Sequence, residues 1–243
     1  MSIEKLAPRL HAFSKFYAPG AIRHLGTRYN ASGTFLPEPG NTVVCHLPVG
    51  SETEAAIVAA RDRYLGMPEA RLLAFTPISS LHMTLFQGII EYQRSLPFWP
   101  NDVPLDTPIE DMTAIFLDRL VGFEPCVAFD VEVTRATPNG LILSGVTGED
   151  RMALKEWRNR LADLLGYRHP DHETYEFHIT FAYLMERFDD QEILRWQPFL
   201  EDIVHEIADQ VPVIELKPPA FCIFDDMNHF EELLVFAPKT SSA

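Results

Sequence analysis

Two segments of the chain repeat one alternation of apolar residues with a histidine and a threonine. The first is Leu81-His-Met-Thr-Leu-Phe86 and the second is Phe177-His-Ile-Thr-Phe-Ala182. Because strand side chains point alternately to two faces, each histidine shares a face with the threonine two residues later. These polar residues are His82, Thr84, His178 and Thr180. Each segment therefore predicts a strand with one face in a core and an imidazole and a hydroxyl on the other.

Two imidazoles and two hydroxyls suit chemistry at a phosphodiester. One imidazole can act as general base on a water or a ribose hydroxyl, while the other protonates the leaving oxygen. The hydroxyls can donate hydrogen bonds to the non-bridging phosphate oxygens, where charge develops in the transition state. The scheme requires no metal or other cofactor. One such tetrapeptide is ordinary structural sequence, but two copies in matching surroundings favour a shared functional site.

The sequence before each motif follows the same order of elements. A helical pattern precedes each, at 51–65 and 149–165, and strand-like runs precede those helices, at 41–47 and 126–146. The order favours an α+β fold over a doubly wound α/β fold. We expect a bilobal molecule with pseudo-two-fold duplicated strand–helix–strand lobes, in which antiparallel sheets surround a central cleft and bring the two motifs together.

The whole chain, 1–243, is predicted to form a single bilobal domain. Residues 1–40 lack periodicity and are interpreted as an irregular N-terminal extension. Lobe one spans about 41–95 together with the C-terminal strands, and lobe two spans about 121–190. Further strands are expected at 71–75, 81–90, 126–135, 141–146, 176–185, 213–217, 220–224 and 232–236. Further helices are expected at 111–120 and 191–209, the latter interrupted at Pro198.

The paired His-x-Thr strands resemble those of the 2H phosphoesterase superfamily, which includes RNA 2′,3′-cyclic phosphodiesterases and 2′-5′ RNA ligase-like proteins. The run Pro39-Gly-Asn-Thr-Val-Val-Cys-His-Leu-Pro48 is similar to an uncharacterised bacterial branch of that group. The resemblance implies metal-independent hydrolysis of a small cyclic phosphodiester or a 2′-5′ linkage. It assigns the acid and base roles to His82 and His178, and phosphate binding to Thr84 and Thr180.

Three further residues are candidates for substrate binding. In many members of the family a basic residue follows Ala in the second motif, but here Tyr183 occupies that place and brings no charge. Strict alternation would turn Tyr183 to the core, unless a bulge or the end of the strand turns it. Tyr175, just before the strand, is placed to stack on a base. His46 either lines the cleft or packs in the core.

Charge and composition limit the partners. The chain has 20 Lys+Arg against 35 Asp+Glu and a formal charge of −15, which disfavours long nucleic acids and anionic membranes. Its N-terminus lacks an apolar signal-peptide core, so we expect a cytoplasmic protein. The three cysteines, Cys45, Cys126 and Cys222, form no Cys-x-x-Cys pair and suggest reduced thiols. The expected partner is a small phosphodiester or nucleotide, and the oligomeric state stays open.

Two other interpretations of the same residues remain. In one, the cleft binds a phosphate or nucleotide ligand without turnover. In the other, His169, His172 and His178 hold a catalytic metal, although a polar loop containing Pro170 commonly carries histidines without any ligand. The basic residues Arg151, Lys155 and Arg158 recur at helical spacing and are interpreted as a solvated helix face.

Overall fold

The computed structural model describes residues 3–236, so residues 1–2 and 237–243 of the predicted domain lie outside the described range. Within that range the chain forms nine strands and four α-helices, confirming the α+β class. The strands are β1 Gly40–His46, β2 Leu73–Phe75, β3 His82–Phe86, β4 Val131–Thr137, β5 Gly140–Gly145, β6 Phe177–Thr180, β7 Ala182–Leu184, β8 Ala220–Phe224 and β9 Glu231–Val235. The helices are α1 Glu52–Leu65, α2 Ile109–Leu120, α3 Gly148–Leu165 and α4 Asp190–Gln210. No helix in this part of the chain has the length and apolar content needed to cross a membrane.

Seven strands form one antiparallel sheet in the order β4-β5-β6-β3-β1-β8-β9. The motif strands β3 and β6 are direct neighbours at its centre. On their outer sides lie β1 and β5, which are followed in the chain by α1 and α3 respectively. The strand–helix–strand order therefore recurs on both sides of the β3–β6 pair, within one continuous sheet. A second sheet contains only β2 and β7.

The alternation of the motif strands matches their burial. Met83, Leu85 and Ile179 are fully buried, whereas the histidines and threonines between them are half-buried. Helix α3 packs against β3 and β5, and α4 packs against β4. The apolar face of the sheet thus lies in the core and its polar face is left for a site.

Helices α1 and α3, which follow β1 and β5, each begin at a residue whose side chain caps the helix. Ser51 Oγ accepts from the Glu54 amide at 3.0 Å at the start of α1. At the start of α3, Thr147 and Asp150 form a reciprocal capping box. These caps satisfy amide groups that the first turn of a helix leaves unpaired. They fix where the chain leaves β1 and β5.

The predicted strand at 176–185 is wrong as a single element. It divides at Phe181 into β6, in the large sheet, and β7, which pairs with β2. The amides of Phe181 and Ala182 both donate to the Asn139 carbonyl, at 2.8 and 3.1 Å. Because two successive amides converge on one acceptor, the regular alternation of the strand is interrupted there. The alternation of side chains along β6 therefore does not determine the face on which Tyr183 lies.

Two other predicted strands are also corrected. β4 begins at Val131 rather than at 126, and Val127 is 71% exposed, with its carbonyl accepting from the Trp157 indole at 3.1 Å. Residues 213–217 belong to neither sheet, because their amides donate to three different parts of the structure. The acceptors are Val131 for Ile214, Thr53 for Glu215 and His46 for Lys217. Alternating apolar residues alone do not make a strand without a neighbouring ladder.

Element lengths differ at three further points. α4 continues through Pro198, since its buried stripe of Ile193, Trp196, Leu200 and Ile203 outweighs the roughly 3 kcal/mol that an interior proline costs. β3 ends at Phe86 rather than at 90. Just after it, Gly88 lies so close to Asn41 that a Cβ on Gly88 would be 1.8 Å from the Asn41 carbonyl oxygen. Residues 71–72 belong to the 3-10 helix Pro68–Leu72, and β2 starts after it.

Gly140 lets β5 approach the second motif strand. It has φ +139°, it pairs with Thr180, and a Cβ there would lie 2.2 Å from the Ile179 carbonyl oxygen. We expect Gly140→Ala to lower the free energy of unfolding by at least about 1–3 kcal/mol, measured by urea denaturation. Gly20→Ala, with nothing within 4 Å, is the matched control. Equal losses in both variants would contradict this account.

Candidate active site

All four polar residues of the two motifs line one cavity of about 770 Å³. Its floor is the polar face of β3 and β6. Its walls come from the N-terminal segment 12–29, from the loop 169–175, from β7 and from the loop 224–230. The fold therefore brings His82, Thr84, His178 and Thr180 together, as the duplicated motif predicts.

The register of β3 on β6 sets the relative positions of these side chains. Met83 and Ile179 are direct partners in the antiparallel pair. Continuing the register by one residue each way places His82 opposite Thr180 and His178 opposite Thr84. The two imidazoles are then diagonal neighbours, a relation in which Cα atoms are typically ~7–8 Å apart. A phosphate group fits between rings at that spacing, with a hydroxyl beside each ring.

Each catalytic candidate is anchored through the same ring atom. His82 Nδ1 lies 2.8 Å from the Ser80 carbonyl oxygen, and His178 Nδ1 lies 2.9 Å from the Glu176 carbonyl oxygen. A carbonyl only accepts hydrogen bonds, so Nδ1 carries the proton in both rings and donates it. In the neutral imidazole this leaves Nε2 as an unprotonated acceptor. Both motifs thus orient their histidine by the residue two positions earlier.

The surroundings of His82 strongly favour its neutral form. Burial, together with the nearby His46 and His178, lowers the pKa of His82 to about 3, although the Ser80 hydrogen bond acts in the opposite direction. The Phe230 ring packs edge-on against it, with centroids 4.2 Å apart. His82 is therefore neutral at physiological pH and available as a base.

His178 has a different electrostatic environment. Burial lowers its pKa, but the hydrogen bond to Glu176 and the negative charges of Glu176 and Asp171 all oppose that shift. His82 has no carboxylate among the groups that shift its pKa. Of the two rings, His178 therefore accepts a proton more readily.

His46 is a neighbour of His82 rather than a wall of the cavity. The two residues are partners in the β1–β3 ladder, and their ring centroids are 6.0 Å apart. His46 is not among the cavity-lining residues. Its Nδ1 lies 2.9 Å from Glu232 Oε1, without the alignment of a hydrogen bond. The expected direct contact of His46 with substrate does not fit this position.

Tyr175 lines the cavity, and its ring packs against the buried guanidinium of Arg158. The guanidinium of Arg158 lies 3.9 Å from the centre of its ring, while Arg158 Nη1 donates to the Leu85 carbonyl at 2.8 Å. Arg158 is only 4% exposed, so the interpretation of this part of α3 as a solvated face is wrong. The Tyr175 hydroxyl is buried close to Thr84 without the full geometry of a hydrogen bond in the described structure, and burial raises its pKa. Tyr175 is therefore a neutral phenol at the edge of the site.

Tyr183 also lines the cavity, because β7 starts a new alternation after Phe181. Its hydroxyl donates to Met227 Sδ at 3.4 Å. The guanidinium of Arg28 lies over its ring, 5.5 Å from the centroid. A guanidinium from the N-terminal segment thus lies next to Tyr183, and its charge is balanced by the ion pair with Glu38.

Several cavity residues were not anticipated from the sequence. They are Arg23, Arg28, Arg187, Met227 and Phe230. Between residues 14 and 39 the structure has no α-helix or named strand, so periodicity carries no signal there. An irregular segment reveals its role only through the tertiary contacts that hold it against the sheet.

The proposed metal cluster is not assembled. His172 Nε2 lies 2.9 Å from Asn159 Oδ1 on α3, whereas His169 packs edge-on against Phe98 with centroids 5.1 Å apart. Within residues 3–236, no group of three or more His, Cys, Asp or Glu side chains is placed to hold a metal ion. His178 instead joins His82 in the cavity.

Comparisons with known proteins identify the family of the chain. Residues 28–142 match the family model 2H-phosphodiest, described as Domain of unknown function (DUF1868). No curated protein matches the chain. A crystal structure of "the Conserved Protein of Unknown Function ATU0111 from Agrobacterium tumefaciens str. C58" is 52% identical, with a TM-score of 0.94 over 96% of this chain and 100% of that one. The chain therefore belongs to the 2H-phosphodiesterase-type family that this model describes.

Proposed function

We propose that the protein is a metal-independent phosphodiesterase. Its substrate is a small cyclic phosphodiester of the 2′,3′-cyclic nucleotide type, or a 2′-5′ linkage. The observation that carries the proposal is the pairing of β3 with β6, which puts two Nδ1-anchored imidazoles and two hydroxyls on one cavity floor. Family membership supports phosphoesterase chemistry in general.

The proposed reaction divides two proton transfers between the imidazoles. Nε2 of His82 removes a proton from the attacking water as its oxygen forms a bond to phosphorus. The bond from phosphorus to the leaving ribose oxygen then breaks, and Nε2–H of His178 protonates that oxygen. The products are a phosphomonoester and a free hydroxyl. One proton has moved from water to His82 and one from His178 to the product, and exchange with solvent restores both rings.

The role of each histidine follows from its electrostatic surroundings. A base must be unprotonated at the working pH, and the pKa of His82, lowered to about 3, meets that condition. An acid must hold a proton, which the charges of Glu176 and Asp171 favour at His178. An anionic phosphate beside His178 further stabilises its charged form. Thr84 and Thr180 donate to the non-bridging oxygens.

The pH dependence of kcat/KM tests these roles. Because burial lowers the pKa of His178 below its ordinary value near 6.5, its protonated fraction falls as pH rises through neutrality. Since His82 is unprotonated down to about pH 3, it does not limit the rate in this range. We expect kcat/KM to rise as pH is lowered from about 8 to about 5. A steady-state profile that rises with pH over this interval would contradict the assignment.

The function itself is tested by hydrolysis in EDTA. The panel contains 2′,3′-cyclic nucleotides, 2′-5′ dinucleotides and ADP-ribose cyclic phosphate. Turnover of at least one member in metal-free buffer supports the phosphodiesterase and excludes a required metal. Binding of these compounds without turnover would replace it with a phosphate-binding module. The size of the cavity and the −15 charge both favour small substrates over long nucleic acids.

A further inference from the structure

The cavity carries the opposite charge to the protein as a whole. Three arginines line it, Arg23, Arg28 and Arg187, whereas Asp171 is the one acidic side chain among the described lining residues. The whole chain has a formal charge of −15. Local charge of the opposite sign in a concave site attracts and holds an oppositely charged ligand. All three arginines lie on the side formed by the N-terminal segment and the chain after β7.

Two of these arginines are not neutralised by a carboxylate. Arg187 donates through three nitrogens to the backbone carbonyls of Ala12, Gly20 and Ala21. A guanidinium has five N–H groups, so two of them remain available. The guanidinium of Arg23 is exposed and has no hydrogen bond or ion pair within the described residues. Arg28 pairs with the buried Glu38.

The backbone that presents Arg23 is in an unusual conformation. His24 has φ +68° and is the one non-glycine residue with positive φ among those described. Its carbonyl accepts from the amides of Thr27 and Arg28, which closes a turn beside the cavity. Such conformations are costly and cluster at ligand-binding sites. His24 lines the cavity together with Arg23 and Arg28, so this turn forms part of a basic wall.

This basic wall is continuous with the motif site. The ring of Phe230 contacts His82, with centroids 4.2 Å apart, and the Tyr183 hydroxyl reaches Met227 in the same loop. Arg28 lies over the Tyr183 ring. Arg23 and Arg187 line the same cavity as the two histidines, so one ligand that spans it would contact both groups.

We propose that the substrate carries a second phosphate group, distinct from the phosphodiester that is cleaved, and that Arg23 and Arg187 bind it. Guanidinium groups recognise phosphate through charge-assisted, often bidentate hydrogen bonds. Arg28, whose charge is balanced by Glu38, is not assigned to this phosphate. The proposal rests on the proposed function, because it defines which cyclic phosphodiesters that site accepts.

The first test compares matched substrates. A nucleoside 2′,3′-cyclic phosphate is assayed with a free 5′-hydroxyl, a 5′-phosphate or a 5′-diphosphate. For the wild type we expect kcat/KM to be at least about tenfold higher for a phosphorylated compound, the effect of one charge-assisted contact. Arg23→Gln is expected to reduce this ratio about tenfold, while Arg71→Gln, an exposed arginine outside the cavity, retains it. Equal kcat/KM for all three substrates would overturn the proposal.

A second test does not depend on turnover. Inorganic pyrophosphate and inorganic phosphate are titrated calorimetrically into wild type, Arg23→Gln, Arg187→Lys and Arg71→Gln. We expect Arg23→Gln to weaken binding of one or both probes about tenfold, and Arg187→Lys to weaken it as well, because lysine lacks the planar guanidinium fork. If Arg23→Gln binds both probes with the wild-type affinity, the proposal of a second phosphate site is wrong. If the probes bind as expected but no cyclic phosphodiester is hydrolysed, the proposed function fails and the anion site stands.

Discussion

Replacing His82 or His178 by alanine is expected to lower kcat/KM on a 2′,3′-cyclic nucleotide by about 100- to 10,000-fold. Each substitution removes one of the two groups that move protons in the proposed reaction. Both rings face the cavity and are held by a single hydrogen bond to a carbonyl, so the core around Met83 and Ile179 stays intact. Steady-state kinetics in EDTA measure the loss, and circular dichroism with thermal unfolding verifies the fold.

His205→Ala is the matched control, since His205 is exposed on α4 and outside the cavity. It should retain wild-type kcat/KM. Because the two motif histidines act on one transition state, the double variant should lose little more than the worse single variant. Near-normal turnover in either single variant would exclude the two-histidine mechanism.

The centre of this site could be predicted because it depends on local alternation. A strand with a buried apolar face must present every second residue on its other face, and that fixes His82 with Thr84 without knowledge of the fold. The helix caps at Ser51 and Thr147 are equally local. Duplication of the pattern then implies that two such strands meet. These features follow from residues within a few positions of each other.

The walls of the site depend on contacts between distant parts of the chain. The amides of Phe181 and Ala182 both donate to the Asn139 carbonyl, which ends β6 before Phe181. Tyr183 faces the cavity because of this interruption. Arg28 reaches Tyr183 because an irregular segment folds over the sheet. Neither event has a periodic signature in the sequence. The net charge of the chain likewise gives no sign of the arginines in the cavity, because it does not say where in the fold each charge lies.

Removing the hydroxyl of either motif threonine is expected to be the second most damaging change. Thr84→Val and Thr180→Val keep the shape and the strand preference of the side chain but cannot donate to a non-bridging phosphate oxygen. By analogy with other preorganised donors, each is expected to lower kcat by about 100- to 1,000-fold. The register that sets Thr84 opposite His178 and Thr180 opposite His82 predicts losses of similar size for both variants.

Serine substitutions separate this chemical role from packing. Thr84→Ser and Thr180→Ser retain the hydroxyl and lose only a methyl group, so both should keep most of the wild-type kcat. A transition-state contact lowers kcat and kcat/KM together, whereas a contact made equally with bound substrate raises KM alone. We expect the first pattern, because charge on the non-bridging oxygens increases as the phosphorus is attacked. If valine and serine variants behave alike, the threonines support the strands, and the phosphate must be held by other groups of the cavity.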